Sequence, residues 1–206
     1  MKKILLASLL TMPLIGFAAD NQSSYAGVEL GYTRIDDAAQ DTANSLVAVN
    51  GGSSSVRSDT GMAIGRIFAG YKFNENVGVE LGAYRTTDFD QSFRGLTRGG
   101  GAYSGTVSLN NYGVDYSLLL RPSVSTGLNG LFARVGGHWS ETDVSVTITG
   151  GSGYGYVKGS GWLAGLGYDA EISKDLTARA SWTYRDSISG EDAYANVASA
   201  ALMYKF

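Results

Sequence analysis

The stretch Tyr25-Ala26-Gly27-Val28-Glu29-Leu30-Gly31-Tyr32-Thr33 alternates without a slip. Ala26, Val28, Leu30 and Tyr32 share one parity, and Tyr25, Gly27, Glu29, Gly31 and Thr33 share the other. A period of two marks a strand with two unlike faces, because successive side chains leave a pleated backbone on opposite sides. The one charge lies among the glycines, so the opposite face is the one built for an apolar environment.

Working outward, the pattern recurs. Ala63, Ile67, Ala69, Tyr71 and Phe73 oppose Arg66 and Lys72; after Asn74-Glu75-Asn76, Val77, Val79, Leu81 and Ala83 oppose Glu80. Tyr112, Val114, Tyr116, Leu118 and Leu120 oppose Asp115, Ser117 and Arg121, and beyond Pro122 and Gly127, Leu131, Ala133, Val135 and Trp139 oppose Arg134, His138 and Ser140. Trp162, Ala164, Leu166, Tyr168, Ala170 and Ile172 oppose Asp169 and Glu171. Ser173-Lys174-Asp175 then turns the chain into Leu176, Ala178, Ala180, Trp182 and Tyr184, opposite Arg179 and Arg185. The last strand carries Tyr194, Ala198, Ala200, Leu202, Tyr204 and Phe206 on one face and Lys205 on the other. About eight strands result.

Alternation alone fits a water-soluble barrel or sandwich equally well. Three features turn the apolar face toward lipid. Aromatic residues gather at both ends of that face, with Tyr71, Phe73, Tyr204 and Phe206 at one rim and Tyr32, Tyr112, Trp139, Trp162 and Trp182 at the other, as in the girdles of membrane barrels. Small and medium side chains fill the middle of that face, while the charged face is rich in Gly and Ser. Connections alternate between tight (Asn74 to Asn76, Ser173 to Asp175) and long (Ile35 to Gly61, Thr86 to Asn111, Thr142 to Gly161). The sequence therefore predicts an all-β, eight-stranded antiparallel up-and-down transmembrane β-barrel of outer-membrane type, with both termini on the periplasmic side. Hydrocarbon forbids an open sheet edge, so the first and last strands must pair, and eight strands leave an interior that side chains fill.

Composition is consistent with that assignment. Met1-Lys2-Lys3 followed by the apolar run Ile4 to Phe17 has the layout of an export signal, giving residues 1–18 as signal peptide and residues 19–206 as the barrel domain. Loss of Lys2 and Lys3 takes the formal charge from -3 to -5, and the absence of a basic tract argues against nucleic acid. Zero cysteines and one histidine exclude thiolate chemistry and a multi-histidine metal site; no cofactor motif is present.

Gly27-Val28-Glu29-Leu30-Gly31-Tyr32, Gly70-Tyr71-Lys72-Phe73, Gly161 to Tyr168, Leu176 to Tyr184 and the terminal Leu202-Met203-Tyr204-Lys205-Phe206 together resemble the small outer-membrane β-barrels of the OmpA transmembrane-domain and OmpX/Ail type. The resemblance implies location in the outer membrane and contact with its lipid and lipopolysaccharide. It also implies recognition of Phe206 by the barrel-assembly machinery, and a host or matrix surface partner met through the external loops. In OmpX/Ail-type proteins protruding strands add partner strands, and Val144, Val146 and Ile148 before Gly150, with Tyr154, Tyr156 and Val157 after it, suggest such a hairpin here.

The charged parity supplies Glu29, Glu80, Asp115, Asp169 and Glu171 against Arg66, Arg121, Arg134, Arg179 and Arg185. Near-balanced numbers favour ion pairs that plug the lumen over a conduction path, since unpaired buried charge is costly. His138-Trp139-Ser140 invites a catalytic reading, because a histidine can activate a serine, and residues two apart on a strand share a face. No Glu or Asp sits at a clear orienting position shortly after the histidine, and parity sends both side chains into the lumen, away from a lipid substrate. The expected function is non-enzymatic, structural and adhesion-type; a narrow porin-like channel is the alternative, and a lipid A-modifying enzyme using His138 and Ser140 the less favoured third. The runs Gly51-Gly52-Ser53-Ser54-Ser55, Gly99-Gly100-Gly101 and Gly150-Gly151-Ser152-Gly153 read as loop tips, and Asp36, Asp37 and Asp41 lack calcium-loop spacing.

Overall fold

The computed structural model describes residues 23–35, 53–58, 61–96, 101–122, 129–148, 151–190 and 193–206. The expected signal peptide, the loop carboxylates Asp36, Asp37 and Asp41, and the tip glycines Gly51, Gly52, Gly99, Gly100 and Gly150 lie outside them.

Ten strand segments follow in order: β1 Ser23–Ile35, β2 Ser53–Ser58, β3 Gly61–Lys72, β4 Val77–Thr86, β5 Phe89–Leu96, β6 Ala102–Leu120, β7 Leu131–Ile148, β8 Gly151–Glu171, β9 Leu176–Arg185 and β10 Ala195–Lys205. Eight of them close a barrel in the cyclic order β1, β3, β4, β6, β7, β8, β9, β10, every neighbour antiparallel. The seam is β1 against β10, from Tyr25 opposite Lys205 to Ile35 opposite Ala195. β5 follows β4 along β6 after a break at Thr87 and Asp88, and β2 pairs with β5. Both extra segments therefore extend the wall above the barrel.

The register fixes the barrel's shape. A row of directly opposed residues runs from Lys158 on β8 through Glu141, Tyr112, Arg85, Gly65, Leu30, Ala200 and Ala180, and returns to β8 ten residues further on, at Tyr168. An eight-strand wall with that stagger tilts its strands by about 40° and leaves a lumen that side chains can fill.

Local chemistry accounts for the tight ends. The Asn74 carboxamide oxygen accepts from the Asn76 and Val77 amides at 2.9 and 2.8 Å, and Ser173 Oγ accepts from the Leu176 amide at 3.2 Å. Side chains of this kind stand in for backbone acceptors in short turns. Both seam strands also end on this side, where the Phe206 amide donates to the Ser24 carbonyl at 2.9 Å.

The outward parity is the apolar one across the barrel: Leu30 is 74% exposed, Ile67 64%, Leu81 59% and Leu166 61%. The inward parity holds more than charge. Tyr25, Met62, Ile64, Phe68, Tyr84, Leu119, Phe132, Leu163, Val197 and Met203 are buried inside, so the lumen is packed with aromatic and aliphatic groups between the arginines.

The hairpin expected to protrude around Gly150 is present as the upper parts of β7 and β8, while the other two expected long loops differ: the span from Ile35 to Gly61 contains β2, and much of that from Thr86 to Asn111 is β5 with the upper part of β6. The reason is an inversion of polarity at constant register. On β7 the outward parity runs Leu131, Ala133, Val135 and Trp139, then Glu141, Asp143, Ser145 and Thr147; the inward parity runs Arg134, His138 and Ser140, then Val144, Val146 and Ile148. Pairing with β6 and β8 continues unbroken through the change. The greasy face changes sides where lipid gives way to water, so a search for one continuous apolar parity ends the strand too early.

Candidate functional site: a plugged lumen and the sheet above it

All eight walls contribute to one network inside the barrel. Arg66 on β3 reaches Glu29 on β1 at 2.8 Å, Asp115 on β6 at 2.7 Å and Glu80 on β4 at 3.5 Å, and its Nε also donates to both Asp115 oxygens. Arg179 on β9 donates to Glu80 and, at 2.7 and 3.2 Å, to both oxygens of Asp169 on β8. Asp169 also accepts from Arg121 at 3.0 Å, and Asp115 from Arg185 at 2.9 Å. Arg134 on β7 donates to Ser117 at 3.2 Å and lies 3.6 Å from Glu80 and 3.8 Å from Asp115. Ser199 on β10 donates to Glu29 at 2.5 Å, and Tyr25 to Glu80 at 2.9 Å.

Aromatic rings separate these layers. The Arg179 guanidinium lies 4.5 Å from the Phe132 ring centre and 5.6 Å from that of Phe68; Arg185 lies 4.0 Å over Tyr84. Stacked guanidinium planes keep their edges free for carboxylates. Glu171 is the exception among the charged-parity residues: its side chain is exposed at the turn-side mouth and pairs with Lys205 at 2.5 Å.

The mouth on the far side is closed by the β9–β10 connection, which folds inward as a 3₁₀ turn, Ile188–Gly190. Ser187, Ser189 and Gly190 take positive φ values of 51°, 56° and 80°, and Ile188 and Ser189 are buried. His138 and Ser140 form part of its seat. His138 Nε2 donates to the Asp186 carbonyl at 2.8 Å, and Ser140 Oγ accepts from the Ser189 amide at 2.8 Å. Ser189 Oγ meets Thr142 Oγ1 at 2.7 Å, and Asn111 Nδ2 donates to both hydroxyls. On β8, Gly159 and Gly161 make room: a Cβ at Gly159 would lie 2.4 Å from Gly190 backbone atoms, and one at Gly161 1.9 Å from the Asp186 carbonyl oxygen. This chemistry is structural. The histidine ring nitrogen that a catalytic acid would orient, Nδ1, has no described partner, and both side chains are almost wholly buried, at 2% and 0% exposure.

The aromatic residues singled out from the sequence all lie on the outward face. Tyr32, Phe73, Trp139, Trp162, Trp182, Tyr204 and Phe206 are exposed, and Tyr71 and Tyr112 half-buried. Tyr71 packs edge-on to Phe73 at 5.2 Å, and Tyr204 to Phe206 at 5.4 Å. At the opposite rim Tyr184 bridges Trp162 and Tyr194 at 5.2 and 5.7 Å; the parity of Tyr184 and Tyr194 was visible in the sequence, their place in this rim cluster was not.

Above the rim, β2, β5, β6, β7 and β8 form a sheet standing clear of the barrel. β9 leaves β8 at Leu163 opposite Arg185, with one further bond from the Asp186 amide to the Trp162 carbonyl. From Gly151 to Lys158, β8 is thus an edge strand among the described residues, with Tyr154 and Tyr156 strongly exposed.

A closed wall with an apolar exterior, aromatic rims and a charged, filled interior defines a transmembrane β-barrel of the outer-membrane class. The chain belongs to the outer membrane protein beta-barrel domain family, whose model matches residues 4–206, and its place is the outer membrane. Among solved structures, Ail, the attachment invasion locus protein of Yersinia pestis, is similar at 14% identity with a TM-score of 0.52, the match covering 89% of this chain and 99% of that one. Ail in complex with the heparin analogue sucrose octasulfate is similar at 14% identity and a TM-score of 0.50, with the same coverage. Neisserial surface protein A matches at 14% identity over 91% of this chain and 100% of that one, with a TM-score of 0.43. No curated protein sequence matches the chain.

Proposed function

We propose that this chain is a non-enzymatic surface-interaction protein, in which the barrel is the anchor and the projecting sheet the working part. The observation that carries the reading is the β8 edge from Gly151 to Lys158, which has no second strand partner among the described residues and presents two exposed tyrosines above the membrane. Such an edge binds an extended polypeptide by strand addition. Ail in complex with a heparin analogue is a precedent for a barrel of this fold holding a ligand. On the outward face of the sheet Asp90, Glu141 and Asp143 stand beside Arg94 and Lys158, so it is the strand edge and not the charge that favours a polypeptide.

In the same reading the lumen ion pairs stiffen and seal the barrel, the aromatic rims set its depth, and lipopolysaccharide surrounds its outer half. Residues 1–18 direct export, and Phe206 is the determinant read by the barrel-assembly machinery. The test is binding of the folded protein in nanodiscs to extracellular-matrix proteins and cultured cells. Replacing residues 143–156 by a two-residue Asn-Gly turn, which leaves the opposed pair Thr142 and Val157 on either side of it, is expected to abolish binding while leaving the barrel folded. A folded, hairpin-trimmed protein that binds as well as the full chain would remove the basis of the proposal.

A further inference from the structure

The charges inside the wall do not balance. Glu29, Glu80, Asp115 and Asp169 face Arg66, Arg121, Arg134, Arg179 and Arg185, every one of these side chains at most 9% exposed. Arginine keeps its charge in a protein, so the described side chains leave the sealed network with one positive charge in excess, and buried charge without a counter-charge is costly. The excess gathers at the outer end. Arg66 and Arg179 each meet two or more carboxylates, Arg134 lies between Glu80 and Asp115, and Arg121 sits by the turn-side mouth, its amide bonded to the Asn76 carbonyl. Arg185 has one carboxylate, Asp115 at 2.9 Å, which Arg66 and Arg134 share. Asp186, next in the chain, commits its carboxylate oxygens to the hydroxyls of Tyr184 and Ser187. Arg185 Nε and Nη1 have no hydrogen-bond partner among the described residues, although the residue is 4% exposed. The hydroxyls of Thr183, two residues below on the same inward parity, and of Thr33, across Val197 from it, are equally buried and equally without a described partner. These donors line one side of the upper lumen, under the 3₁₀ turn.

We propose that the upper lumen holds one small monovalent anion of the halide class, bound by the free N–H groups of Arg185 with the Thr183 hydroxyl donating to it. Charge decides the class: one such ion brings the network to neutrality, whereas a sulfate or phosphate dianion overshoots. Water alone would satisfy the N–H and O–H groups and leave the charge uncompensated. The setting decides the kind of halide. Leu163, Ile188, Val197 and Ala195 are buried at this end of the barrel, so the ion gives up its own water, which favours chloride or bromide over the strongly hydrated fluoride. His138 is no second ligand, because its Nε2 donates to the Asp186 carbonyl and Nδ1 of the neutral ring then carries a lone pair. The turn that closes the mouth seats above Arg185, so the ion enters before the turn settles and stays as a constituent of the folded barrel.

The test is urea unfolding of the full chain from lipid vesicles at fixed ionic strength, with chloride exchanged stepwise for gluconate. Above its dissociation constant, one bound ion raises the ratio of folded to unfolded protein about tenfold for each tenfold of chloride. Wild type is expected to show that slope with chloride and bromide and little of it with fluoride. Arg185→Gln balances the charges without an ion and should flatten the slope. Arg185→Lys keeps the charge and should retain the slope at lower affinity, and Thr183→Val should weaken binding about fivefold, the worth of a hydrogen bond. Crystals of wild type grown in bromide give a readout that needs no variant to fold: an anomalous peak is expected beside Arg185 and Thr183. A wild type indifferent to halide at fixed ionic strength, a folded Arg185→Gln protein that keeps the full slope, or bromide crystals without that peak would each overturn the proposal.

Discussion

Strand β7 passes through two solvents without changing its register. Below Ser140 its outward side chains are apolar and its inward ones carry Arg134 and His138; above, the outward side carries Glu141 and Asp143 and the inward side Val144, Val146 and Ile148. The backbone ladder is the same in both halves. What differs is which face meets hydrocarbon and which meets water, so polarity reports the environment while the period of two reports the strand.

The comparison sharpens if a carboxylate is removed from each half. Asp115→Ala strips three arginines of a buried partner and should cost about 3–5 kcal/mol. Asp143→Ala, on the exposed sheet, should cost less than about 1 kcal/mol. Urea unfolding from lipid vesicles measures both, and equal costs would mean that the lumen network contributes no more than a surface pair.

Adding a charge to the outward face tests the same boundary from the other side. Leu30→Arg, in the band facing hydrocarbon, is expected to destabilise by about 2–4 kcal/mol. Ser145→Arg, on the same parity of the projecting sheet, should fall within about 0.5 kcal/mol of wild type. If both are tolerated alike, the boundary between lipid and water does not lie between these positions.

Two glycines of β8 make the third contrast. Gly159→Val forces the 3₁₀ turn off its seat and should cost about 1–3 kcal/mol, with new protease cleavage between Asp186 and Gly190. Gly153 has nothing within 4 Å of where a Cβ would stand, so Gly153→Val should change neither stability nor cleavage. An uncleaved, fully stable Gly159→Val protein would show that the turn seals nothing.

How much of this was legible in the sequence follows from the same contrast. The period of two, the two tight turns at Asn74 and Ser173 and the side on which Arg66 or Asp169 falls are local properties, and one strand read alone discloses them. Which arginine meets which carboxylate is not local. Arg66 finds Asp115 and Arg179 finds Glu80 only through the stagger accumulated around the wall, set by pairings between residues far apart in the chain. The aliphatic and aromatic packing in the lumen was hidden because Ile64 and Phe68 share a parity with Arg66, and the charge drew the reading. The inward-folding turn left one faint signal, the small residues at Gly159 and Gly161. Of the projecting strands, the hairpin around Gly150 was legible from its alternation, whereas β5 and the upper part of β6 read as loop because their apolar parity is inverted.

The seam between β1 and β10 carries a consequence in time. Tyr25 and Lys205 face each other across it, so the bond that closes the wall joins residues from opposite ends of the barrel sequence. Until it forms, two edges with unsatisfied amides and carbonyls stand exposed, which hydrocarbon does not allow. Hairpins such as β3–β4 and β8–β9 can assemble early, because their partners are neighbours, whereas long-range closure is slow. The barrel therefore cannot insert strand by strand as it is synthesised. Insertion has to await a nearly complete cylinder, or proceed on a surface that temporarily occupies both edges.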